Sequence, residues 1–441
     1  MRPYHVLGFI ATCLCALALL CVVLPHRVEA GDRNLKWPTL AEVFDTEPIG
    51  TLDSLENIEI PDTIETQEPA APSPVPEEIV KKPEIIVPQV VVDSTIDCRE
   101  FLRPFYEVLS ESNERVIRVL HYGDSQIEED RMSQQIREAL QKRYGGAGVG
   151  LIPLAQTIPS LSVKQQLFMS NRFVLPTQGP RRYMVYAYKR DQRADKKYGV
   201  MGQMAQMNDS LMSGSEDIMA VCTPHGLNAR YTQWKIFADT SVQYTIHGDT
   251  VWLNGRGNVY GLSQQTDTGV IVDNIPMRGC LGTVFTKIDK EQLQTFYEQE
   301  NVRLIILQFG GNAIPSNKNP GTIAGIVKGL REQVRYLKTC APEASILFIG
   351  PSDMLTQIDG EWQTYPMIPY MDKLLRKMAL EENIAYFSLF RWMGGNGSMK
   401  RWQEVGLAGS DGVHFTRAGA KKAGKAVANW ILEGKEMTNN K

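Results

Sequence analysis

The chain has 441 residues, of which 43% are hydrophobic and 22% are charged, and its formal net charge is −3. This length and composition predict a globular protein of two to three domains with a sizeable hydrophobic core. A charge so close to neutral gives no sign of the basic surface on which nucleic-acid binding depends, so we expect no nucleic-acid partner.

The N-terminal segment, 6–24, is apolar and carries no charge. Its length fits either a long signal-peptide core or a short membrane span. The sequence PHRVEA that follows ends in the small residue Ala30, where a signal peptidase could cut. We predict that 1–30 is a signal peptide or an N-terminal membrane anchor, and both alternatives stay open. Either one predicts export to the periplasm or cell envelope, with inner-membrane anchoring through 6–24 in the second case.

An acidic, proline-rich stretch follows this segment. From Ala41 to Pro88 the chain holds twelve Asp and Glu against two Lys, and 68–78 reads EPAAPSPVPEE. Such a composition buries too little apolar surface to offset the entropy lost on ordering. We therefore predict a disordered linker over 31–97 and a folded domain over 98–441.

Four cysteines lie outside the apolar segment, and they are widely spaced along the chain. The spacing matches no metal-binding pattern, so we expect no metal and no other cofactor. In an oxidising compartment four thiols can form disulfides. We predict mostly buried thiols and leave one disulfide open. The cysteines are Cys98, Cys222, Cys280 and Cys340.

Apolar, β-branched runs alternate with helical patterns through most of 98–441. The runs are bounded by Gly, Pro or polar turns, as buried parallel strands are. This alternation predicts an α/β fold with a parallel sheet and right-handed crossovers. The predicted strands are 116–123, 302–311, 344–352 and 384–389, and the predicted helices are 133–144, 289–298, 321–338, 369–382 and a closing helix that begins near 417.

The alternation breaks between about 151 and 274. This region holds short strand-like segments, among them YMVYAYK, SVQYTIHGDTVWLNG and GVIVDNI. Gly248-Asp249 and Asn254-Gly255 are turn signals typical of hairpins. We predict a β-rich insertion within the α/β domain over about 151–274.

Ser125 lies in HYGDSQIEED, between a predicted strand and a predicted helix. Ligands of α/β sheets bind beyond the carboxyl ends of the strands, and a helix N-terminus there stabilises negative charge. Ser125 is thus either a nucleophile or, with Asp124, an ordinary helix cap. The C-terminal GSDGVHF favours the nucleophile, because Asp411 and His414 supply a base and a carboxylate to orient it.

Two further segments hold candidate oxyanion donors. Asn312 follows a buried strand in LQFGGNAIP, and its side-chain amide can donate to an oxyanion. Gly282, in IPMRGCLGTVF, can bring a backbone N–H close to the same oxygen because glycine has no side chain.

Together these segments resemble the four blocks of the SGNH/GDSL hydrolase superfamily, in the same order. The resemblance implies a flavodoxin-like three-layer sandwich with a central parallel sheet. It also implies Ser125 as nucleophile, His414 as base and Asp411 as its orienter. The Ser125 N–H, Gly282 N–H and Asn312 side chain would form the oxyanion hole. The matching residues are Gly123-Asp124-Ser125, Gly282, Gly311-Asn312 and Asp411-x-x-His414.

The long, β-rich interval between the first two blocks is similar to bacterial peptidoglycan O-acetylesterases of this superfamily. In that subfamily the insertion resembles a carbohydrate-binding module. The resemblance implies an acetylated cell-envelope glycan as substrate, with Trp234 and Trp252 as candidate sugar contacts, although such aromatic residues more often pack in a core or at a sheet edge.

Three functions stay open on the sequence. The first is a serine esterase that removes O-acetyl groups from peptidoglycan or another envelope polysaccharide. The second is an O-acetyltransferase that works beside a membrane-bound O-acyltransferase, because water and a sugar hydroxyl attack the same acyl-enzyme. The third is a glycan-binding envelope protein without catalysis.

Overall fold

A computed structural model gives the fold, and the chain divides into two compact units, 1–59 and 60–441. In the first unit the described residues form one antiparallel pair, β1 (Arg27–Ala30) with β2 (Arg33–Lys36). Most of the predicted signal or anchor (1–30) and most of the predicted linker lie outside the described residues. Among the described residues, no helix combines the length and apolar character needed to cross a bilayer. The structure describes 27–30, 33–36, 88–92, 96–169, 172–174, 184–189, 193–207 and 218–439.

The second unit alternates strands and helices as the sequence predicts, with a run of short strands between β3 and β14. Its strands are β3 (Val116–Gly123), β4 (Gly150–Ile152), β5 (Val163–Met169), β6 (Arg172–Val174), β7 (Met184–Tyr186), β8 (Gln203–Met207), β9 (Ile218–Pro224), β10 (Gln233–Ala238), β11 (Val242–His247), β12 (Thr250–Gly255), β13 (Gly257–Gln265), β14 (Gly269–Pro276), β15 (Val302–Gln308), β16 (Ser345–Ile349), β17 (Leu355–Ile358), β18 (Glu361–Thr364) and β19 (Ala385–Phe387). Its α-helices are α1 (Arg103–Val108), α2 (Ser133–Tyr144), α3 (Lys290–Gln299), α4 (Pro320–Cys340), α5 (Ile368–Glu381), α6 (Leu389–Trp392), α7 (Ser398–Glu404) and α8 (Arg417–Asn439).

The central sheet has five parallel strands in the order β14-β3-β15-β16-β19. Counted along the chain within this sheet, the order is second, first, third, fourth, fifth, which is the flavodoxin-like arrangement. Helices cover both faces. One core lies against α3, α4 and α5, and the other against α1, α2, α7 and α8. The predicted three-layer sandwich is confirmed.

The segment GVIVDNI departs from the prediction, because it belongs to the central sheet and not to the insertion. It forms β14, which pairs in parallel with β3 from Gly269 opposite Val116 to Pro276 opposite Gly123. Val270, Ile271 and Val272 are all fully buried. Burial on both faces is typical of a parallel strand, whereas the antiparallel strands of an insertion with one solvated face alternate apolar and polar residues. The insertion therefore ends at β13, before the predicted boundary near 274.

The insertion, from β4 to β13, consists of two antiparallel sheets around their own apolar core. One contains β10, β13, β8 and β7, with β4 on β13, and the other runs β11-β12-β9-β5-β6. Gly248 and Asp249 join β11 to β12 in the predicted hairpin. Asn254 and Gly255 do not form a second hairpin, because the chain there passes from one sheet to the other.

The four cysteines of the second unit are free thiols, and all are buried. Burial raises the pKa of Cys222 to about 12 and that of Cys280 to about 11. Thiols of this kind stay protonated and react slowly. The structure thus contains the predicted buried thiols, and no disulfide joins these four residues.

A buried arginine on β3 joins the central sheet to the insertion. The Arg118 guanidinium donates to both Asp273 carboxylate oxygens on β14, from Nε at 2.7 Å and Nη2 at 3.1 Å. It also donates to Gln265 on β13, at 2.9 Å, and to Glu300, at 2.6 Å. Asp273 in turn accepts the Leu151 N–H of β4 at 2.7 Å. One fully buried cation on β3 therefore links four other chain segments, three of them directly and β4 through Asp273.

Replacing Arg118 by Met should lower the free energy of unfolding by about 3–5 kcal/mol, because it leaves Asp273 buried without a cation and leaves Glu300 with Lys235 alone. Urea unfolding measures the change. The matched control is Arg115→Met, which removes an exposed ion pair with Glu111 and should cost less than about 1 kcal/mol. Equal, small losses in both variants would contradict the role given to Arg118.

Candidate active site

Three of the predicted site residues meet at a cavity of about 510 Å³ beyond the carboxyl ends of the central strands. We call it cavity A. Its lining includes Ser125, Asn312 and His414, together with Gly279 and Pro351. It lies where β14 and β15 flank β3, which is the point at which the strand order reverses and where doubly wound sheets bind ligands.

Ser125, His414 and Asp411 form a continuous hydrogen-bonded relay. Ser125 Oγ lies 2.8 Å from His414 Nε2. His414 Nδ1 lies 2.7 Å from Asp411 Oδ2. With the ring proton on Nδ1, donated to Asp411, the Nε2 lone pair is left to accept the Ser125 hydroxyl. The structure therefore brings the three residues together although 289 positions separate Ser125 from His414.

Asp411 is held in the charged form by the loop that carries it. Its Oδ1 accepts the backbone N–H groups of Val413, at 2.9 Å, and His414, at 3.0 Å. Partial burial opposes ionisation, but these bonds and the one from the His414 ring outweigh it and lower the Asp411 pKa. An ionised Asp411 both orients the imidazole and stabilises the imidazolium that forms when His414 takes a proton.

Gly282, the predicted oxyanion glycine, does not line cavity A. Its N–H points to Cys280 Sγ, 3.3 Å away, and a Cβ there would come within 2.8 Å of Phe309 and Leu330 in the core. The glycines that line cavity A are Gly279, after β14, and Gly311, after β15. Gly279 has φ +73°, and a Cβ would meet no atom within 4 Å. Since β14 ends at Pro276, Gly279 is three residues beyond the strand and Gly282 is six. A prediction that placed the end of β14 correctly would have favoured Gly279.

Ser125 and Gly279 both bring a backbone N–H group to cavity A. Neither the Ser125 N–H nor the Gly279 N–H donates a hydrogen bond to another described residue. Ser125 begins a short 3-10 helix that Asp124 caps by accepting the Gln126 N–H at 3.0 Å. Donors at such a position can bind a negatively charged oxygen above Ser125.

Asn312 is held by two acceptors on neighbouring loops. Its Nδ2 donates to Asp124 Oδ2 at 3.1 Å and to the Cys280 carbonyl at 3.3 Å. The two oxygens of Asp124 thus have different partners: one caps the helix of Ser125 and the other accepts a hydrogen bond from the Asn312 amide. From the sequence Asp124 was expected to be at most a helix cap, because its contact with Asn312 spans 188 positions.

Burial raises the pKa of Asp124 to about 6, against the opposing effects of the Gln126 N–H bond and the His414 charge. Asp124 is only 5% exposed. Its ionisation therefore lies near the physiological range, unlike that of an ordinary aspartate.

Charged residues that the sequence did not single out form one wall of cavity A. Arg278 donates to both oxygens of Glu128, at 2.6 Å and 2.5 Å. Arg131 donates to the Ser125 carbonyl at 2.8 Å, which fixes the turn below the nucleophile. No sequence pattern indicates these pairs, because ion pairs at a site depend on loop packing and not on spacing.

Trp234 and Trp252 lie in the insertion and line neither cavity A nor its neighbour. Trp234 packs against the core of the insertion and donates its indole N–H to the Gly248 carbonyl at 3.0 Å. Trp252 alternates along β12 with the buried Val251 and Leu253, so it faces away from that core. Their contact with sugar stays a prediction.

The fold is similar to that of a solved peptidoglycan O-acetylesterase. The two share 18% identity with a TM-score of 0.62, and the match covers 78% of this chain and 98% of that one. An acetyl xylan esterase matches 37% of this chain and 80% of its own, at 17% identity and a TM-score of 0.27. The periplasmic domain of the lipopolysaccharide acetyltransferase of Salmonella ser. Paratyphi A matches 38% and 74%, at 13% identity and a TM-score of 0.26. No family model matches the sequence, and no curated protein does. The first likeness confirms the resemblance to SGNH/GDSL O-acetylesterases at the level of the fold.

The buried Asp124 should make stability depend on pH. Because its folded pKa is raised, the native state holds a proton that the unfolded chain loses, so this group favours folding less as pH rises from about 4 to 6. Wild type should lose roughly 2–3 kcal/mol relative to Asp124→Asn between about pH 4 and 7, with little further change above it. Urea unfolding of both proteins between pH 4 and 7.5 measures the difference. A difference that stays constant across this range would contradict the raised pKa.

Proposed function

We propose that this chain is an extracytoplasmic serine esterase of the SGNH/GDSL type, which removes O-acetyl groups from peptidoglycan or another cell-envelope polysaccharide. The observation that carries the proposal is the relay from Asp411 through His414 to Ser125, with steps of 2.7 Å and 2.8 Å. The fold likeness to a peptidoglycan O-acetylesterase and the apolar segment 6–24 support the substrate class and the location.

Acylation begins at Ser125. Its Oγ attacks the carbonyl carbon of the acetyl ester while His414 Nε2 takes the hydroxyl proton. The tetrahedral intermediate then collapses, the bond to the sugar oxygen breaks, and His414 returns the proton to that oxygen. The sugar leaves as an alcohol, and the acetyl group stays on Ser125.

The intermediate carries a negative oxygen that needs donors. The N–H groups of Ser125 and Gly279 are free to bind it, and the Asn312 amide is the third donor. The Asn312 bond to the Cys280 carbonyl is the longer of its two, at 3.3 Å, so the charged oxygen replaces that acceptor while Asp124 still holds the amide. The N–H groups of Ser125 and Gly279 need no such exchange of partner, since donors fixed before the reaction need no reorganisation during it.

Deacylation repeats these steps with water as the nucleophile. His414 takes a proton from water, the oxyanion forms again at the same donors, and acetate leaves with Ser125 restored. In the alternative function, a sugar hydroxyl attacks in place of water, and the acetyl group comes from a membrane-bound O-acyltransferase. The residues of cavity A serve either acceptor.

Ser125→Ala should abolish hydrolysis of a chromogenic acetate ester by the soluble 98–441 fragment, with kcat falling by about 10⁴-fold or more because the nucleophile is lost. Ser316→Ala, an exposed serine in the loop after β15, is the control and should retain wild-type rates. Equal, slow release by wild type and Ser125→Ala would refute the esterase. Parallel assays with acetylated peptidoglycan should yield free acetate, whereas transfer of acetyl to an added glycan would favour the transferase.

Asn312→Ala should lower kcat by about 10²–10³ with a smaller effect on KM, because the amide acts on the oxyanion and not on the ground state. Asn317→Ala is a matched control in the same loop, since Asn317 bonds the Ala313 carbonyl and does not line cavity A. Steady-state kinetics on the same ester separates the two constants. A similar loss in both variants would mean that the loop, not the Asn312 amide, determines the rate.

A further inference from the structure

A second cavity, of about 350 Å³, adjoins cavity A. We call it cavity B. It lies between the carboxyl end of β14 and the insertion, and its lining includes Pro276, Gln203 and Tyr188. Glu129 and Arg278 line both cavities. The two therefore share a wall, and a molecule longer than one sugar ring can occupy both.

The shared wall is a fixed part of the fold. Glu129 and Asp130 both have positive φ, 61° and 65°, which non-glycine residues seldom adopt. Asp130 is buried and accepts two bonds from Arg137, at 2.5 Å and 3.1 Å, and a third from the Ser162 hydroxyl. The Glu129 carbonyl accepts the Leu161 N–H at 2.9 Å. Strained backbone held this firmly is typical of binding and catalytic sites.

Aromatic rings form the side of cavity B that the insertion contributes. Tyr186 and Tyr188 stand with ring centroids 5.6 Å apart and tilted by 56°. Tyr188 is half-buried and packs against the main core, so its ring is held in place. Lys189 Nζ lies over one face of that ring, 5.5 Å from its centre, so a ligand would contact the part of the ring that Lys189 leaves open. Apolar ring faces beside a few polar groups are the usual lining of a ligand pocket, and both cavities fall in the usual range of about 300–1,000 Å³.

From this arrangement we propose that cavity B binds the sugar residue next to the acetylated one. The Tyr188 ring packs against a face of this second sugar, and Arg278, which lines both cavities, lies between the two sugar residues. The inference rests on the proposed function, because it assigns the acetylated sugar to cavity A. It adds that the protein selects oligosaccharides over acetylated monosaccharides and small esters.

The physical basis is the match between a sugar and this lining. A pyranose has an apolar C–H face that packs on an aromatic ring and polar edges that need hydrogen bonds. Arg278 has a side chain that is 67% exposed and is oriented by Glu128, so its guanidinium is fixed before the ligand arrives. A preorganised donor loses less entropy on binding than a mobile one.

Tyr188→Ala tests the proposal through a ratio of two specificity constants. The ratio compares kcat/KM for an O-acetylated glycan-strand tetrasaccharide with kcat/KM for a chromogenic acetate ester. Tyr188→Ala should lower the ratio about tenfold or more, because only the tetrasaccharide reaches cavity B. Tyr188→Leu keeps most of the buried volume without the ring, and it should lower the ratio as well. Tyr144→Ala, a half-buried tyrosine on α2 that lines neither cavity, should leave the ratio at the wild-type value.

An unchanged ratio in Tyr188→Leu would overturn the subsite even if the esterase assignment stands. If wild type hydrolyses no ester, the proposed function fails separately, and calorimetric titration with the tetrasaccharide then decides the subsite. Weaker binding by Tyr188→Leu than by Tyr144→Ala would support cavity B as a glycan site. Equal dissociation constants would refute it.

Discussion

A parallel sheet brings the carboxyl ends of all its strands to one edge, and the site depends on this constraint. Ser125 follows β3, Gly279 follows β14, and Asn312 follows β15, so three loops that are distant in the chain open onto one cavity. His414 comes from the loop before α8 and closes the arrangement. These loops can be short, because the reversal of strand order leaves a gap at the carboxyl end of β3 onto which all three open.

Within this gap, one buried carboxyl group coordinates two donors that the proposed chemistry needs. Asp124 caps the turn that presents the Ser125 N–H and at the same time holds the Asn312 amide. This arrangement buries the Asp124 carboxyl group, and burial disfavours its charged form, so the pKa of Asp124 is raised. A polar network of this kind defines one geometry for the site, since a shift of either donor leaves a buried oxygen unsatisfied.

Much of the fold could be predicted from the sequence because buried strands and amphipathic helices have distinct periods. The helix at 133–144 is observed as predicted, and β3 has the predicted bounds of 116–123. The relay residues could be found because Gly-Asp-Ser and Asp-x-x-His are short, local patterns. Gly279, which lines cavity A, was not singled out from the sequence, because choosing between it and Gly282 requires the end of β14. The ion pairs at Arg278 and Arg118, and the side-by-side cavities, depend on contacts across 100 residues or more, which periodicity does not encode.

The position of the insertion has a consequence for how the chain folds. β3 and β14 are neighbours in the sheet, yet Val116 pairs with Gly269, so the whole insertion lies between two strands that must meet. Contacts this remote in sequence form slowly from an open chain. However, β4 and β13 pair at the base of the insertion, with Ile152 opposite Leu262. If the insertion folds early, its two ends come together, and β14 then lies close to β3 although the two strands are distant in the sequence. The insertion would thus act as a folding nucleus for the pairing of β3, the strand that precedes Ser125.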